Sequence, residues 1–241
     1  MCIFFPAIGS VEKTRIYGRL IDGRQVIAYQ MHLSADEPVA MILPVPVANP
    51  TDFEFIDLSS HSRFFAYLDS CFPSEPVAAA EAPAGATLKV ERVGAFEASF
   101  VPTKEDFDRL DPRFRLPDPV WRDLPNYDGW GFAVFQLAAG DRRRHPMAYQ
   151  FETSNPRAIF YPTVHVHDES VPKRADFDHY LYAQGAKGAS GWVQGEDPPG
   201  HHAHFFESED PGGGLVHPEL PLLRNRLTGE LPNVDTWLAV D

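Results

Sequence analysis

The chain has 241 residues, and 44% of them are hydrophobic, which is enough to bury one sizeable core or two closely packed halves. Asp and Glu number 34 against 21 for Lys and Arg, and the resulting net charge of -13 argues against nucleic acid as a partner. The two cysteines, Cys2 and Cys71, do not suggest a disulfide framework.

The first residues, MCIFFPAIG, are apolar, but they lack a basic leader and Pro6 interrupts them. This run is too short for a signal peptide or a transmembrane helix, and no other apolar run approaches a membrane span. We therefore expect a soluble, cytoplasmic protein without a membrane partner.

The first part of the chain has the pattern of an antiparallel meander. Apolar or alternating runs are separated by turn residues, and Asp22–Gly23 is a typical hairpin signal. Pro44 and Pro46 cannot donate ladder hydrogen bonds, so we expect the last of these strands to lie at an edge or to end near Leu43. The predicted strands are residues 1–5, 14–20, 25–33 and 39–47.

A helix is predicted from Phe64 to Cys71, because apolar residues recur there at helical spacing. Ser59 or Ser60 is the expected cap, since a serine hydroxyl can accept hydrogen bonds from the first free N–H groups of a helix. Pro73 is expected to end the helix.

The next stretch is irregular. Residues 76–86 are rich in Ala, Pro and Glu and are predicted as a loop, and residues 88–100 are predicted as strand. Thr103 with Asp106 three residues later has the capping-box pattern and predicts a second helix. Aromatic residues in the proline-rich part that follows are expected to cover a core, with a ligand-stacking surface as the alternative. These aromatic residues are Trp121, Tyr127 and Trp130.

The second half of the chain begins with a predicted hairpin whose tip carries Arg142 to Arg144. Its two strands are expected at residues 131–138 and 146–153, and a further strand is expected at Ala158 to His167. Helical spacing of apolar residues then predicts two more helices. They are Ala175 to Gln184 and Pro218 to Leu227.

Two stretches of the chain echo each other. Each contains the triplet Ala-Tyr-Gln, at 28–30 and 148–150, followed by a polar turn, an apolar strand ending in proline and a helical candidate. This order favours an internal duplication with halves at about residues 1–75 and 128–190, and two ordinary hairpins are the alternative. The predicted fold class is α+β, mainly antiparallel sheet with a few short helices, arranged as two pseudo-symmetric halves in one compact domain spanning residues 1–241.

The N-terminal third combines Cys2, a Phe4–Phe5 pair, a hairpin, an apolar strand ending in Pro-Val-Pro at 44–46, and a phenylalanine-rich helix candidate at Phe64 to Leu68. In this order of parts the chain resembles an uncharacterised bacterial family defined as a domain of unknown function. That family has no established activity, so the resemblance implies a fold and no reaction.

Three histidines form a candidate metal site. His165 and His167 are two residues apart in a predicted strand, so their side chains should share a face roughly 7 Å apart along the chain. Imidazoles so placed can chelate a transition metal such as zinc, with His179 as a third ligand and Asp168 and Asp178 orienting the rings. Three protein ligands leave a position open for catalysis. The alternative is a polar sheet face in which the histidines hydrogen-bond to nearby aspartates.

A second His-rich tract comprises His201, His202, His204 and Glu207. Short tracts of this kind can bind metal ions. The surrounding segment is rich in glycine and proline, so a solvated loop is the favoured interpretation.

Cys2 is a candidate nucleophile. Removal of Met1 would leave this cysteine at the N-terminus, where a thiol and its own α-amino group can act together as nucleophile and base. A Gly-Arg-x-x-Asp run from Gly18 to Asp22 follows, and in these residues the sequence resembles N-terminal-nucleophile amidohydrolases of the bile-salt hydrolase and penicillin V acylase type. The resemblance implies Cys2 as nucleophile, with Arg19 and Asp22 orienting the amine and substrate. In the alternative interpretation Cys2 is buried and the other two residues belong to an ordinary hairpin.

The sequence leaves three classes of function open. The first is a metal-binding protein or metalloenzyme centred on His165 and His167, and the second is a Cys2 amidohydrolase. The third is a noncatalytic binding or structural protein in which both groups of residues are incidental. A small molecule or a metal ion is open as the ligand, whereas nucleic acid and membranes are not expected.

Overall fold

The computed structural model describes residues 3–73, 96–125, 127–202 and 214–240, without the side chains of Phe96 and Arg142. Within these ranges the chain is mainly β-structure with short helices between strands. In chain order the strands are β1 (Ile3–Phe5), β2 (Ser10–Ile21), β3 (Arg24–Ala35), β4 (Val39–Val45), β5 (Phe53–Asp57), β6 (Phe96–Val101), β7 (Gly131–Leu137), β8 (Gly140–Arg143), β9 (Met147–Glu152), β10 (Ala158–Tyr161), β11 (Arg174–Gln184), β12 (Trp192–Gln194), β13 (Leu223–Pro232) and β14 (Thr236–Ala239). The helices are α1 (Phe64–Ser70), α2 (Asp118–Asp123) and the 3-10 helices Lys104–Arg109, Pro112–Phe114 and Pro199–His201.

Two main sheets face each other. The larger sheet has the strand order β12-β13-β11-β2-β3-β9-β5, and β8 also pairs with β3. Its β11–β2 pair is parallel, and its other pairs are antiparallel. The smaller sheet has the order β1-β4-β7-β6 and is antiparallel throughout. Strands β10 and β14 form a separate antiparallel pair.

Strand β4 shows how the layers are built. Met41 and Leu43 belong to the central core between the two main sheets, whereas Ala40 and Ile42 belong to a second core on the other side. That second core lies under α2 and the 3-10 helices Lys104–Arg109 and Pro112–Phe114, which contribute residues such as Phe107. Because both faces of this strand are covered, both faces are apolar, and the sequence appears as an uninterrupted hydrophobic run.

Helix α1 covers the outer face of the larger sheet. A seven-residue helix is too short to be stable in isolation, so tertiary packing must hold it. Its buried side chains are Phe64, Phe65 and Leu68, which pack with Tyr17 and Tyr182 of the sheet. Burial of each such side chain contributes about 1.5–3 kcal/mol, and the apolar face predicted for this helix is confirmed.

The local predictions for the first half hold at the hairpin and fail at the helix cap. Asp22 and Gly23 have positive φ angles of 49° and 80°, as the predicted two-residue turn requires, and Ile21 pairs with Arg24 across it. The residue that precedes α1 is Arg63, and its side chain makes no capping hydrogen bond, so the expected serine cap is absent at this helix.

The α+β prediction is wrong, because the first of the last two predicted helices lies in a strand and the second is strand from Leu223 onward. Residues 175–184 lie in β11, where Phe177, His179 and Leu181 are buried on one face and Asp178 is exposed on the other. Strand β13 pairs with β11 along its whole length and has the same period of two. Long-range pairing therefore overrides the helical spacing that the sequence also contains, and the protein is a mainly β structure.

Two predicted strand arrangements are also corrected. Strand β4 runs to Val45 and lies between β1 and β7 in its sheet, not at an edge. Strand β9 pairs with β3 and β5 in the larger sheet, so it is not the hairpin partner of β7. The intervening β8 accounts for this, since it carries the chain from one sheet to the other by pairing with β3.

The two echoing stretches meet in the larger sheet. Their Ala-Tyr-Gln triplets lie on the neighbouring antiparallel strands β3 and β9, with Ala28 opposite Ala148. The helical candidates that follow them differ, because the first forms α1 and the second lies in β11. The internal duplication stays a prediction. The predicted loop at 76–86 lies outside the described residues, and of the predicted strand at 88–100 the structure describes the part within β6.

No helix in the described part of the chain is long and apolar enough to cross a membrane.

Buried side-chain amides complete the sheets where a neighbouring strand is missing. The amide of Gln25 on β3 accepts a hydrogen bond from Phe160 N at 3.1 Å and donates one to Phe160 O at 2.7 Å. The amide of Gln184 accepts from His217 N at 2.8 Å and donates to His217 O at 2.9 Å. Gln184 also accepts a hydrogen bond from the Tyr17 hydroxyl at 2.8 Å. Together these bonds hold the 215–220 segment against the larger sheet.

Gly18 allows β10 to cross closely over β2. A Cβ atom at this position would lie 2.5 Å from Ile159 Cγ2 and 3.1 Å from the Tyr161 ring. Real Cβ atoms do not approach other atoms so closely, so any larger residue at position 18 would push β10 away from the sheet.

We predict that Gly18→Ala lowers the free energy of unfolding by about 1–3 kcal/mol, because it overpacks the contact between β2 and β10. The matched control is Gly188→Ala, where a Cβ would meet nothing within 4 Å, and we expect a change within about 0.5 kcal/mol. Urea unfolding followed by circular dichroism measures both. Equal stability of the two variants would show that the close approach is not needed.

Candidate functional site

The segment that carries His165 and His167 lies between β1 and the end of β13. On one side Phe4 N donates to Val166 O at 2.9 Å and Ile8 N donates to His167 O at 3.0 Å. The backbone therefore runs parallel to β1 at this point, with Ile3 opposite Val166.

On the other side, the side chains of Asn233 and Asp235 hold the segment. Asn233 Oδ1 accepts from His165 N at 2.7 Å, and its Nδ2 donates to His165 O at 3.0 Å. One carboxylate oxygen of Asp235 accepts from Thr163 N at 2.9 Å and from Val164 N at 3.2 Å. These two buried side chains thus replace a missing strand neighbour, and sequence reasoning did not identify them.

The structure brings the three predicted histidines together. The ring centroids of His165 and His167 are 5.3 Å apart, and those of His165 and His179 are 5.2 Å apart. The ring of Phe177 packs edge-on against His165 at 4.2 Å, and Phe4 lies 6.0 Å from His167. His179 lies on strand β11 and is fully buried, whereas the sequence predicted that it would come from a helix.

Burial keeps these imidazoles neutral. Desolvation lowers the pKa of His165 to about 2 and that of His167 to about 4, and it lowers the pKa of His179 well below its usual value. Neither ring nitrogen of His165 hydrogen-bonds to any of the described residues. At neutral pH the cluster is therefore an uncharged, largely apolar environment and not a proton donor.

The metal-site hypothesis is wrong. Within the described ranges no group of three or more His, Cys, Asp or Glu residues is arranged to hold a metal ion. The rings of the cluster meet at tilted and edge-on angles and pack against Phe177, which is the geometry of an aromatic core. The expected orienting carboxylates have other partners, since Asp168 accepts from Ser170 and Asp178 accepts from Lys13 N.

The alternative of an N-terminal-nucleophile amidohydrolase is not supported by the placement of its residues. Cys2 lies outside the described residues. Arg19 donates to Leu215 O at 3.2 Å on the outer side of the larger sheet, and Asp22 lies in the β2–β3 turn. Strand β1 belongs to the smaller sheet, whereas Arg19 lies on β2 of the larger sheet.

The second His-rich tract is described in part. His201 ends a 3-10 helix, and its Nε2 lies 3.4 Å from Glu219 Oε2. The side chains of this pair are about half exposed, at 53% and 66%. His204 and Glu207 lie outside the described residues.

The fold is that of a layered β protein with short helical segments on the outer faces. No protein-family model and no curated protein matches the chain. Among solved structures, the crystal structure of baculovirus P35 matches with a TM-score of 0.56 and 12% identity over 99% of both chains.

Two further structures of the same viral protein show weaker likeness. The caspase-8/P35 complex matches with a TM-score of 0.47 and 9% identity over 95% of this chain and 96% of that chain. A mutated baculovirus P35 after caspase cleavage matches with a TM-score of 0.45 and 10% identity over 98% and 100%. At these identities the likeness shows the fold alone, and the fold is similar to that of P35.

We predict that the histidine cluster makes folding sensitive to acid. The unfolded chain binds protons with the ordinary histidine pKa near 6.5, whereas the folded cluster does not. Stability conferred by neutral histidines is thus fully present above about pH 6.5 and is lost as pH falls below it, by up to about 1.4 kcal/mol per pH unit per group. Between pH 7 and 5, His165→Phe should lose about 2 kcal/mol less stability than the parent chain.

Urea unfolding at both pH values measures this difference. His61→Phe is the control, because His61 lies outside the cluster and its Nδ1 contacts the Ser60 hydroxyl. If His165→Phe and His61→Phe lose the same stability on acidification, the cluster is not the source of the pH dependence.

Asn233→Ala should destabilise the protein by about 2–4 kcal/mol, because it leaves His165 N, His165 O and Pro172 O without their side-chain partner. Asn225→Ala, on strand β13 that precedes Asn233, should change the free energy of unfolding by less than about 1 kcal/mol. Chemical denaturation compares the two. A small effect at Asn233 would show that β1 and Asp235 hold the histidine segment without it.

Proposed function

We propose that this chain is a noncatalytic binding protein that engages and restrains a protease of the caspase type. The observation that carries the proposal is the fold likeness to baculovirus P35, which extends over 99% of both chains. P35 has been crystallised in complex with caspase-8 and after cleavage by a caspase. The proposal belongs to the third class of function that the sequence left open.

The described architecture is compatible with a rigid binding scaffold. The central core joins the two main sheets, and each outer face carries a helical layer with its own buried cluster. A scaffold that is already ordered loses little conformational freedom when it binds, so more of the contact energy appears as affinity. Restraining a protease without being turned over rapidly requires this kind of rigidity.

The electrostatics of the histidine cluster favour binding over catalysis. A general acid or base works best when its pKa lies near the working pH. Burial moves the pKa values of His165 and His167 to about 2 and about 4, far below neutral pH. These residues therefore support the fold and are poorly suited to proton transfer.

The proposal is tested with purified caspase-8 and a fluorogenic peptide substrate. Preincubation with about 1 μM chain should lower the residual activity at least tenfold, and the chain and enzyme should co-elute in size-exclusion chromatography. Enzyme whose active site is blocked beforehand by a covalent inhibitor should not bind, because the proposed contact is at the active site.

Controls distinguish an inhibitor from a slow substrate. Heat-unfolded chain should be cut and should delay substrate turnover only briefly, whereas folded chain should hold the activity down over hours. The same assay with papain or trypsin in place of caspase-8 measures the selectivity of inhibition. Full caspase-8 activity in the presence of excess folded chain, or recovery of activity as the chain is consumed, would contradict the proposal.

A further inference from the structure

An exposed apolar patch lies beside the β10–β14 pair. Trp237 on β14 is 40% exposed and Val234 is 57% exposed. The Trp237 ring lies 4.8 Å from Phe160 and 6.1 Å from Trp130, so the patch rests on ordered aromatic side chains. Exposed apolar side chains that are close enough to form a patch often mark interaction sites.

A pocket of about 280 Å³ adjoins this patch through Tyr127. The Tyr127 ring lines the pocket and lies 5.2 Å from the Trp130 ring, which links pocket and patch into one surface. Trp121 and Leu124 form the other apolar walls. The volume is at the lower limit for a small-molecule site, so it suits a single anchoring side chain better than a whole ligand.

Two cations stand at the rim of this pocket. Lys104 Nζ lies 5.2 Å from the centroid of the Trp121 ring, and Arg122 is the second cation. In the described part of the chain Arg122 has no ion pair, whereas neighbouring arginines such as Arg113 are paired with aspartates. Asp128 also contributes to the lining. In a chain with a net charge of -13, an arginine that pairs with none of the described carboxylates and lies beside aromatic side chains favours an anionic ligand.

The size of the pocket and the position of the cations restrict the ligand further. Because the pocket holds about one side chain, the apolar group and the carboxylate have to come from the same residue or from directly adjacent atoms. The last residue of a polypeptide has this chemistry, since its free carboxylate is attached to the carbon that carries its side chain. Capture of a terminal carboxylate is a known mode of peptide recognition.

We propose that this surface binds the C-terminus of a protein partner that ends in an aromatic or large apolar residue. The terminal side chain enters the pocket between Trp121, Leu124 and Tyr127. The terminal carboxylate is held by Arg122 and Lys104, and the preceding residues lie over Val234 and Trp237. This site does not depend on the proposed protease partner, and the two are tested separately.

The test uses the peptide acetyl-Gly-Ser-Val-Trp with a free C-terminus and the same peptide with a C-terminal amide. Nuclear magnetic resonance of the tryptophan indole N–H groups follows the titration, and Trp121→Phe assigns the signal at the pocket. We expect saturable shifts at Trp121 and Trp130 with a Kd of about 0.1–1 mM for the acid, and at least threefold weaker binding of the amide.

Arg122→Gln should reduce the affinity for the acid to that for the amide. Arg113→Gln is the matched control, because its guanidinium belongs to a pair with Asp111 at 2.7 Å and does not line the pocket. This variant should bind both peptides as the parent chain does.

Three results would overturn the proposal. Equal affinity for acid and amide would show that the carboxylate is not recognised. Equal or tighter binding of acetyl-Gly-Trp-Asp-Gly amide would show that an internal acidic side chain is preferred. Self-association that disappears in Trp237→Ser, measured by analytical ultracentrifugation, would assign the surface to a second copy of this chain.

Discussion

Buried side-chain amides hold the irregular parts of the chain against the sheets. Gln25, Gln184 and Asn233 each offer an acceptor oxygen and a donor NH2 group, the same kinds of group that a neighbouring strand would offer. Each pairs with both backbone groups of a single residue, on a side of the segment where no strand pairs with it. A buried peptide group left unpaired costs about 1–3 kcal/mol, so the positions of β10, the 215–220 segment and the histidine segment all depend on these amides.

The character of the histidine cluster follows from this constraint. Asn233 and β1 fix the backbone on either side of His165, and the packed rings of Phe177 and Phe4 exclude water from it. An imidazole held in such a place stays neutral, because burial removes the hydration that would stabilise its charged form. The same spacing that suggests a chelate in the sequence therefore produces an aromatic core in the structure.

Parts of the fold could be predicted from the sequence because their signals are local. The turn at Asp22–Gly23, the apolar face of α1 and the proximity of His165 to His167 follow from neighbouring residues. Strands β11 and β13 could not be predicted, because their helical spacing is outweighed by pairing with each other and, for β11, with a strand some 165 residues earlier in the chain. The role of Asn233 was hidden for the same reason, since its partner His165 is 68 residues away.

A fold similar at 12% identity shares a framework and few side chains, so the proposed binding depends on groups particular to this chain. Tyr127 connects the buried framework with the surface pocket. Its hydroxyl donates to Asp235 at 2.7 Å, and the same carboxylate group holds the backbone of Thr163 and Val164. Burial raises the pKa of Asp235. The hydrogen bonds that its carboxylate accepts favour the charged form and oppose this increase. The wall of the surface pocket is thus fixed by the residue that positions the histidine segment, and a ligand entering there meets a surface that is already ordered.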